Sequence, residues 1–251
     1  MASPAALAQA LTDSLHLERP PVAVCFAETI PAGVKQFTGT VPAGCRFWQE
    51  AQSGVFATVA SQHDLCALGM YTHNLETSRA AQQDLGDAFK VFSELGYVRE
   101  QDLPLIPVLK NRPKVVVYGP LNQVPLPPDV VLLFANPDQT LLLSEASQQM
   151  EGGLPPAMGR PACAVVPHAL NNNQTALSLG CCGARAYLDI LTPSVAVYAV
   201  PGNKLEAFTE RVAALATANA VLRAFHTLRR TDAEAGKHPS VQETLAAMSA
   251  R

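Results

Sequence analysis

The chain has 251 residues and a formal net charge of −3, with 48% hydrophobic and 16% charged residues. That length permits one large domain or two small ones around a sizeable core, and the composition excludes a disordered chain. The mild acidity gives no electrostatic footprint for nucleic acid or an anionic membrane surface, and the apolar runs are too short and interrupted to span a bilayer.

In chain order, Pro4–Leu17 suits an amphipathic helix, with Leu7, Leu11 and Leu15 at helical spacing and Pro20-Pro21 as its stop. It lacks a basic leader and does not read as a secretory signal, so the expected location is a reducing cytoplasm. There the six cysteines are expected as free thiols or ligands rather than disulfides. Val22–Ala27 reads as a strand, followed by a Gly/Pro-rich loop and a helix over Cys45–Gly54. Val55–Ala60 is a second strand, and Ser61–Leu75 is a loop entering a short helix that carries Cys66 and Gly69. Thr77–Leu95 is an amphipathic helix closed by Gly96, with Phe89, Phe92 and Leu95 on one side. Lys114–Tyr118 is a third strand, and the proline-rich crossing GPLNQVPLPPD marks a seam.

Beyond the seam, Val130–Ala135 is a fully apolar strand, and Asn136-Pro137 opens a helix that stops at Gly152-Gly153. Ala162–Val166 reads as a strand, His168–Asn173 as a polar loop, and Leu177–Ile190 as a Gly-Cys-Cys-Gly turn with a short helix. Ser194–Val200 is another strand. A long helix comes next over Lys204–Arg230, with one face for the sheet and a second suited to a homodimer contact. A last short helix, Ser240–Ala250, hangs on a polar linker.

The expected fold class is α/β, two pseudo-repeated halves with three strands each in a mixed sheet flanked by helices. The boundaries are residues 1–127 and 128–232, with a tail over 233–251. The repeat rests on V-x-V-Y before each proline and on Glu50-Ala51 against Glu145-Ala146 near the helix ends. Cys66 then matches Cys181 or Cys182, and Cys45 and Cys163 lack counterparts. No G-x-G-x-x-G or phosphate-loop motif is present.

The chemistry-bearing residues are the cysteines. Cys45 follows Gly44, Cys66 precedes Gly69 and Cys181 follows Gly180, so three thiols stand beside glycine-loosened turns at helix starts. Such positions favour thiolates and let backbone approach a bulky inorganic core. Cys163, on an alternating strand, can face the same cavity. The expected ligand set is Cys45, Cys66, Cys163 and Cys181, with Cys182 in reserve, around an iron–sulfur cluster or, alternatively, a zinc ion. Against this, the irregular spacings match no standard zinc or ferredoxin run, and buried free cysteines are often small hydrophobes, as expected for Cys25. His63, His168 and Arg185 are candidate catalytic groups beside the cysteine turns, each with a plain surface role as its alternative. Trp48 is expected in the core.

PPVAV, CRFWQEA, the C-x-x-G of Cys66–Gly69, YGPL, PDVVLLFANP and SLG-C-x-G-x-R together resemble the domain-of-unknown-function-169 (ArCR) family, over roughly residues 20–212. The resemblance implies a shared fold and a cysteine-bearing site at Cys45, Cys66, Cys163 and Cys181, with Gly183 and Arg185 as companions. It implies no reaction, since the family is uncharacterised. The expected activity is redox or Lewis-acid chemistry, an iron–sulfur oxidoreductase or lyase, with a small-molecule substrate or a redox partner protein. The alternative is a metal-free or zinc-bound ligand-binding or sensing module.

Overall fold

The computed structural model describes residues 2–158 and 161–249. The strands are β1 (Val22–Ala27), β2 (Lys35–Gln36), β3 (Phe56–Val59), β4 (Val115–Pro120), β5 (Val130–Ala135), β6 (Ala157–Met158), β7 (Ala176–Ser178) and β8 (Ala196–Pro201). The α-helices are α1 (Pro4–Leu15), α2 (Arg46–Glu50), α3 (Ala67–Thr72), α4 (Arg79–Glu94), α5 (Pro137–Glu151), α6 (Val165–Asn172), α7 (Cys182–Tyr187), α8 (Leu205–Glu234) and α9 (Val241–Ser249). The strands form one mixed sheet in the order β2-β3-β4-β1-β5-β8-β7-β6.

The alternation of side chains along a strand decides what covers each face. On β1, Val22 and Val24 enter one core and Ala23 and Cys25 the other; on β5, Leu132 and Leu133 part the same way. The second core is closed by Leu11 and Leu15 of α1, Leu143 of α5, and Leu205, Phe208 and Val212 of α8. The first holds Phe47 and Trp48 of α2, Met70 of α3, Val165 and Val166 of α6, and Cys45 and Cys163. Both faces are therefore dry, as the apolar strand runs require. Each fully buried large side chain contributes about 1.5–3 kcal/mol relative to exposure. The apolar stripe expected along the long helix is buried only at its start: Leu222 is 55% exposed.

The α/β class with a mixed sheet flanked by helices holds, with three corrections. Ala162–Val166 is not a strand: Ala162–Ala164 is a 3-10 turn running into α6. A short apolar run fits a buried helix as well as a buried strand, and Pro167 lies in the first turn, where a missing N–H costs nothing. His168 accordingly lies on α6 rather than in a loop. Each half contains four strands rather than three, because two-residue β2 and β6 pair parallel to β3 and β7 at the two edges.

The strand order reads identically outward from the central antiparallel β1–β5 pair. On one side come β4, β3, β2; on the other, β8, β7, β6. Every neighbouring pair keeps the same sense on both sides, antiparallel until the outermost parallel one. In this frame α2 lies between β2 and β3, whereas α5 lies between β5 and β6, so the expected match of Glu50-Ala51 with Glu145-Ala146 fails. The topological counterpart of α2 is the turn into α6.

Candidate functional site

Four loops on the first face build the site. Cys45 is the N-cap of α2, between β2 and β3. Cys163 lies in the 3-10 turn before α6, between β6 and β7. Cys66 is the N-cap of α3, after β3, and Cys181 is the N-cap of α7, after β7. Each half thus brings two cysteines, from loops at matching places in the strand order.

All four line one cavity of about 310 Å³, with Gly69, Pro161, Gly183 and Tyr187 among its walls. Burial pushes the Cys45 thiol well above its ordinary range, and nearby Cys163, Cys66 and Cys181 push it further. Burial likewise raises Cys163, and Cys66 and Cys181 add to it. The Thr72 hydroxyl opposes that rise by donating to Cys163 Sγ at 3.2 Å. Helix starts were expected to favour thiolates, but α2, α3 and α7 have only five or six residues, too few for a large macrodipole. Desolvation wins at Cys45 and Cys163, which are neutral thiols at pH 7.

Glycines set how closely the loops approach. A Cβ on Gly69 would stand 2.9 Å from Cys66 Sγ, and one on Gly44 would stand 3.3 Å from His63 Nδ1. In the same core as Cys45 and Cys163, Phe47 stacks on Tyr118 with ring centroids 5.6 Å apart. Between α2 and the end of α7, Arg46 Nη1 donates to the Tyr187 carbonyl, and the Gln49 amide exchanges two hydrogen bonds with Asp189. These bonds tie the first half to the second.

His63 lies behind Gly44 and Cys66. The Thr58 hydroxyl donates to the Val116 carbonyl and therefore accepts from His63 Nε2–H at 2.9 Å. The lone pair then falls on Nδ1, which is buried without a protein partner among the described residues. His73 is built alike: its Nδ1–H donates to the Gly69 carbonyl at 3.0 Å, and Nε2 has no partner among the described residues. Burial holds His63 down to about 3, with His73 adding to the effect, and burial holds His73 down to about 4. Both are neutral at pH 7.

Other expected residues fall elsewhere. His168 does not line the chamber. Its ring is hydrogen-bonded to Asn172 on its own helix. The Arg185 guanidinium is occupied by the backbone carbonyls of Leu179, Leu191, Thr192 and Val195; it fastens the loop around α7. Cys182 is exposed and turned away from the four-thiol chamber. Cys25 is buried on the opposite face of the sheet, and burial pushes it up to about 12. Trp48 is fully buried in the first core, as expected.

A second cavity, of about 610 Å³, adjoins the first. Leu68, Phe92, Pro161, Cys181, Gly183 and Tyr187 line both. Its outer wall is the apolar side of α4 and the segment after it. Among the described residues, no group of three or more His, Cys, Asp or Glu side chains is arranged to hold a metal ion, and no helix is long and apolar enough to cross a membrane.

With four cysteines of the expected pattern on one chamber, comparison with known proteins decides the relationship. The chain belongs to the domain-of-unknown-function-169 family, uncharacterised ArCR, whose model matches residues 10–211. No curated protein and no solved structure matches the chain. The family match spans the whole sheet and all six cysteines and ends within the first turns of α8. The family being uncharacterised, membership assigns no reaction. Thr72 and His73 escaped the sequence reading. Their signal was their place six and seven residues after Cys66, which puts them at the end of the short helix that Cys66 opens.

Proposed function

We propose that the four-thiol chamber holds an iron–sulfur cluster of the [4Fe-4S] type, ligated by Cys45, Cys66, Cys163 and Cys181. One observation carries this reading: four cysteines spread over 136 positions (181 − 45) line a single cavity. Four thiolates are the usual complement of such a cluster. A tetrahedral zinc with bonds of about 2.3 Å needs its sulfurs within about 4 Å of one another. No three-ligand ion site is arranged among the described residues, which supports neither the zinc nor the cluster directly. The cluster reading rests on the shared chamber.

When bound, the cluster supplies electron transfer or, with one ligand fewer, an iron acting as a Lewis acid. The protein's own part is set by its contacts. Gly44 and Gly69 keep the wall thin, Thr72 donates to Cys163, and Phe47 and Tyr118 stack in the dry core that also holds Cys45 and Cys163. Cys45 and Cys163 carry protons in the metal-free chain and must release them on loading. A reducing cytoplasm keeps such thiols available.

The test is anaerobic purification with iron and sulfide analysis. We expect brown protein with about four iron and four sulfide per chain, lost in Cys45→Ala and Cys181→Ala and retained in Cys25→Ala and Cys182→Ala. Metal-free protein with an undiminished melting temperature overturns the reading, and one zinc per chain replaces it with the zinc site. The adjoining apolar cavity favours a second reading, a ligand-binding or sensing module. In that reading the chamber's thiols detect metal or oxidant rather than hold a cluster.

A further inference from the structure

The larger cavity is a different kind of space from the thiol chamber. Its volume of about 610 Å³ lies within the ~300–1,000 Å³ usual for small-molecule sites. Phe89, Phe92, Tyr97, Ile106 and Tyr187 dominate its wall. The α4 helix that roofs it contributes only Ala81 to the buried core. Phe89 and Phe92 therefore turn to the cavity rather than to the core. Their rings already stand edge-on to Tyr71 and Tyr97, with centroids 6.2 Å apart in each pair. That arrangement suits an inserted flat ring, since aromatic groups prefer offset or edge-to-face partners. The charged side chains among its described lining residues, Arg99 and Asp102, are forked onto each other at 2.6 and 2.8 Å. Each satisfies the other, so neither presents an unpaired charge to a ligand.

We propose that this cavity binds a planar, uncharged ring molecule and that Cys181, which lines both spaces, is where that molecule meets the four-thiol chamber. Binding in the cavity is independent of what the chamber holds. The encounter with a cluster rests on the reading above. Cys182 lines this cavity and not the thiol chamber, so its exposed thiol is a built-in reporter of occupancy.

The experiment uses the full chain with the neutral bicyclic probe indole, and indole-3-acetate as the same ring carrying a carboxylate. Alkylation of Cys182 by N-ethylmaleimide is followed by peptide mass spectrometry. At roughly ten times its Kd, indole leaves about a tenth of sites open and slows Cys182 alkylation about tenfold. Indole-3-acetate at the same concentration changes the rate less than about twofold, because its charge has no unpaired partner among the described lining residues. Phe89→Asp removes the protection by indole. Phe89 lies outside the buried core, so this variant is expected to fold. Ile106→Asp, on the neighbouring segment, is the second variant should Phe89→Asp melt early. No slowing by indole, equal protection by indole-3-acetate, or protection surviving in a folded Phe89→Asp or Ile106→Asp chain overturns the proposal. Iron is measured on the same samples. Protection without iron sinks the cluster alone, and iron without protection sinks the ring site alone.

Discussion

At the residue scale, His63 and His73 set a pH dependence that can be worked out. Burial holds them near 3 and 4 in the folded chain, against an ordinary value of about 6.5 when unfolded. As pH falls below about 6.5, the unfolded histidines take up protons and the folded ones do not, so stability falls with acidification. The neutral-histidine contribution is whole above that pH and drains away toward the folded values. Between pH 6.5 and 5 each histidine costs roughly 2 kcal/mol. Urea denaturation of metal-free chain at pH 7 and pH 5 should show this loss. His63→Asn, which cannot titrate, should have its pH-dependent loss reduced by about 2 kcal/mol. An unchanged difference between the two pH values would show that His63 is not held neutral. The cysteines were legible at this scale because each of three stands beside a glycine in a turn, a local signal. Thr72 and His73 were not, because what matters about them is a contact to Cys163 and a bond to Gly69. Neither is visible along the chain. The contacts of Arg185 were hidden for a related reason: four carbonyls claim its guanidinium, and backbone carbonyls leave no mark in a sequence.

At the element scale, α4 is the loosest helix of the site. Its apolar side faces the larger cavity, and Ala81 alone is buried among its residues. By contrast α5 buries Gln139, Leu143, Ala146 and Ser147 and is closed by a reciprocal Asn136–Gln139 capping box. Native-state hydrogen exchange should therefore show α4 amides at least about tenfold less protected than α5 amides, a difference of roughly 1.4 kcal/mol. Equal protection would mean that α4 is held as firmly as the core. Strands β1, β4, β5 and β8 were legible as apolar runs, because both faces of the sheet are covered. The turn into α6 was not, since ACAVV is as apolar as any strand beside it, and only its packing against β7 and β8 makes it helical. The two-residue edge strands are defined by pairing alone, and no propensity announces them. The apolar stripe of α4 was read in the sequence, but a stripe that faces a cavity looks the same as one that faces a core.

At the scale of the whole molecule, the strand order and the positions of the four chamber cysteines repeat between the two halves, and we take this as support for the internal duplication proposed from the V-x-V-Y segments. The family match ends at residue 211, just where α8 leaves the sheet: Leu205, Phe208, Thr209 and Val212 are its buried residues. The rest of α8 and all of α9 line neither the thiol chamber nor the larger cavity. Ending the chain at Ala235 should leave iron content unchanged and shift Tm by less than about 4 °C, equivalent to roughly 1 kcal/mol. A larger shift would show that α9, which packs on α8, supports the core from outside.

The placement of the thiols also fixes an order of events during synthesis. A ribosome that has released the first 150 residues has made β1 through β5 and two of the four sulfurs. The other two, at positions 163 and 181, are synthesised only after β5 and α5. On the cluster reading proposed above, metal delivered before position 181 is made would find half a cage, so loading would follow synthesis of the loop between β7 and α7.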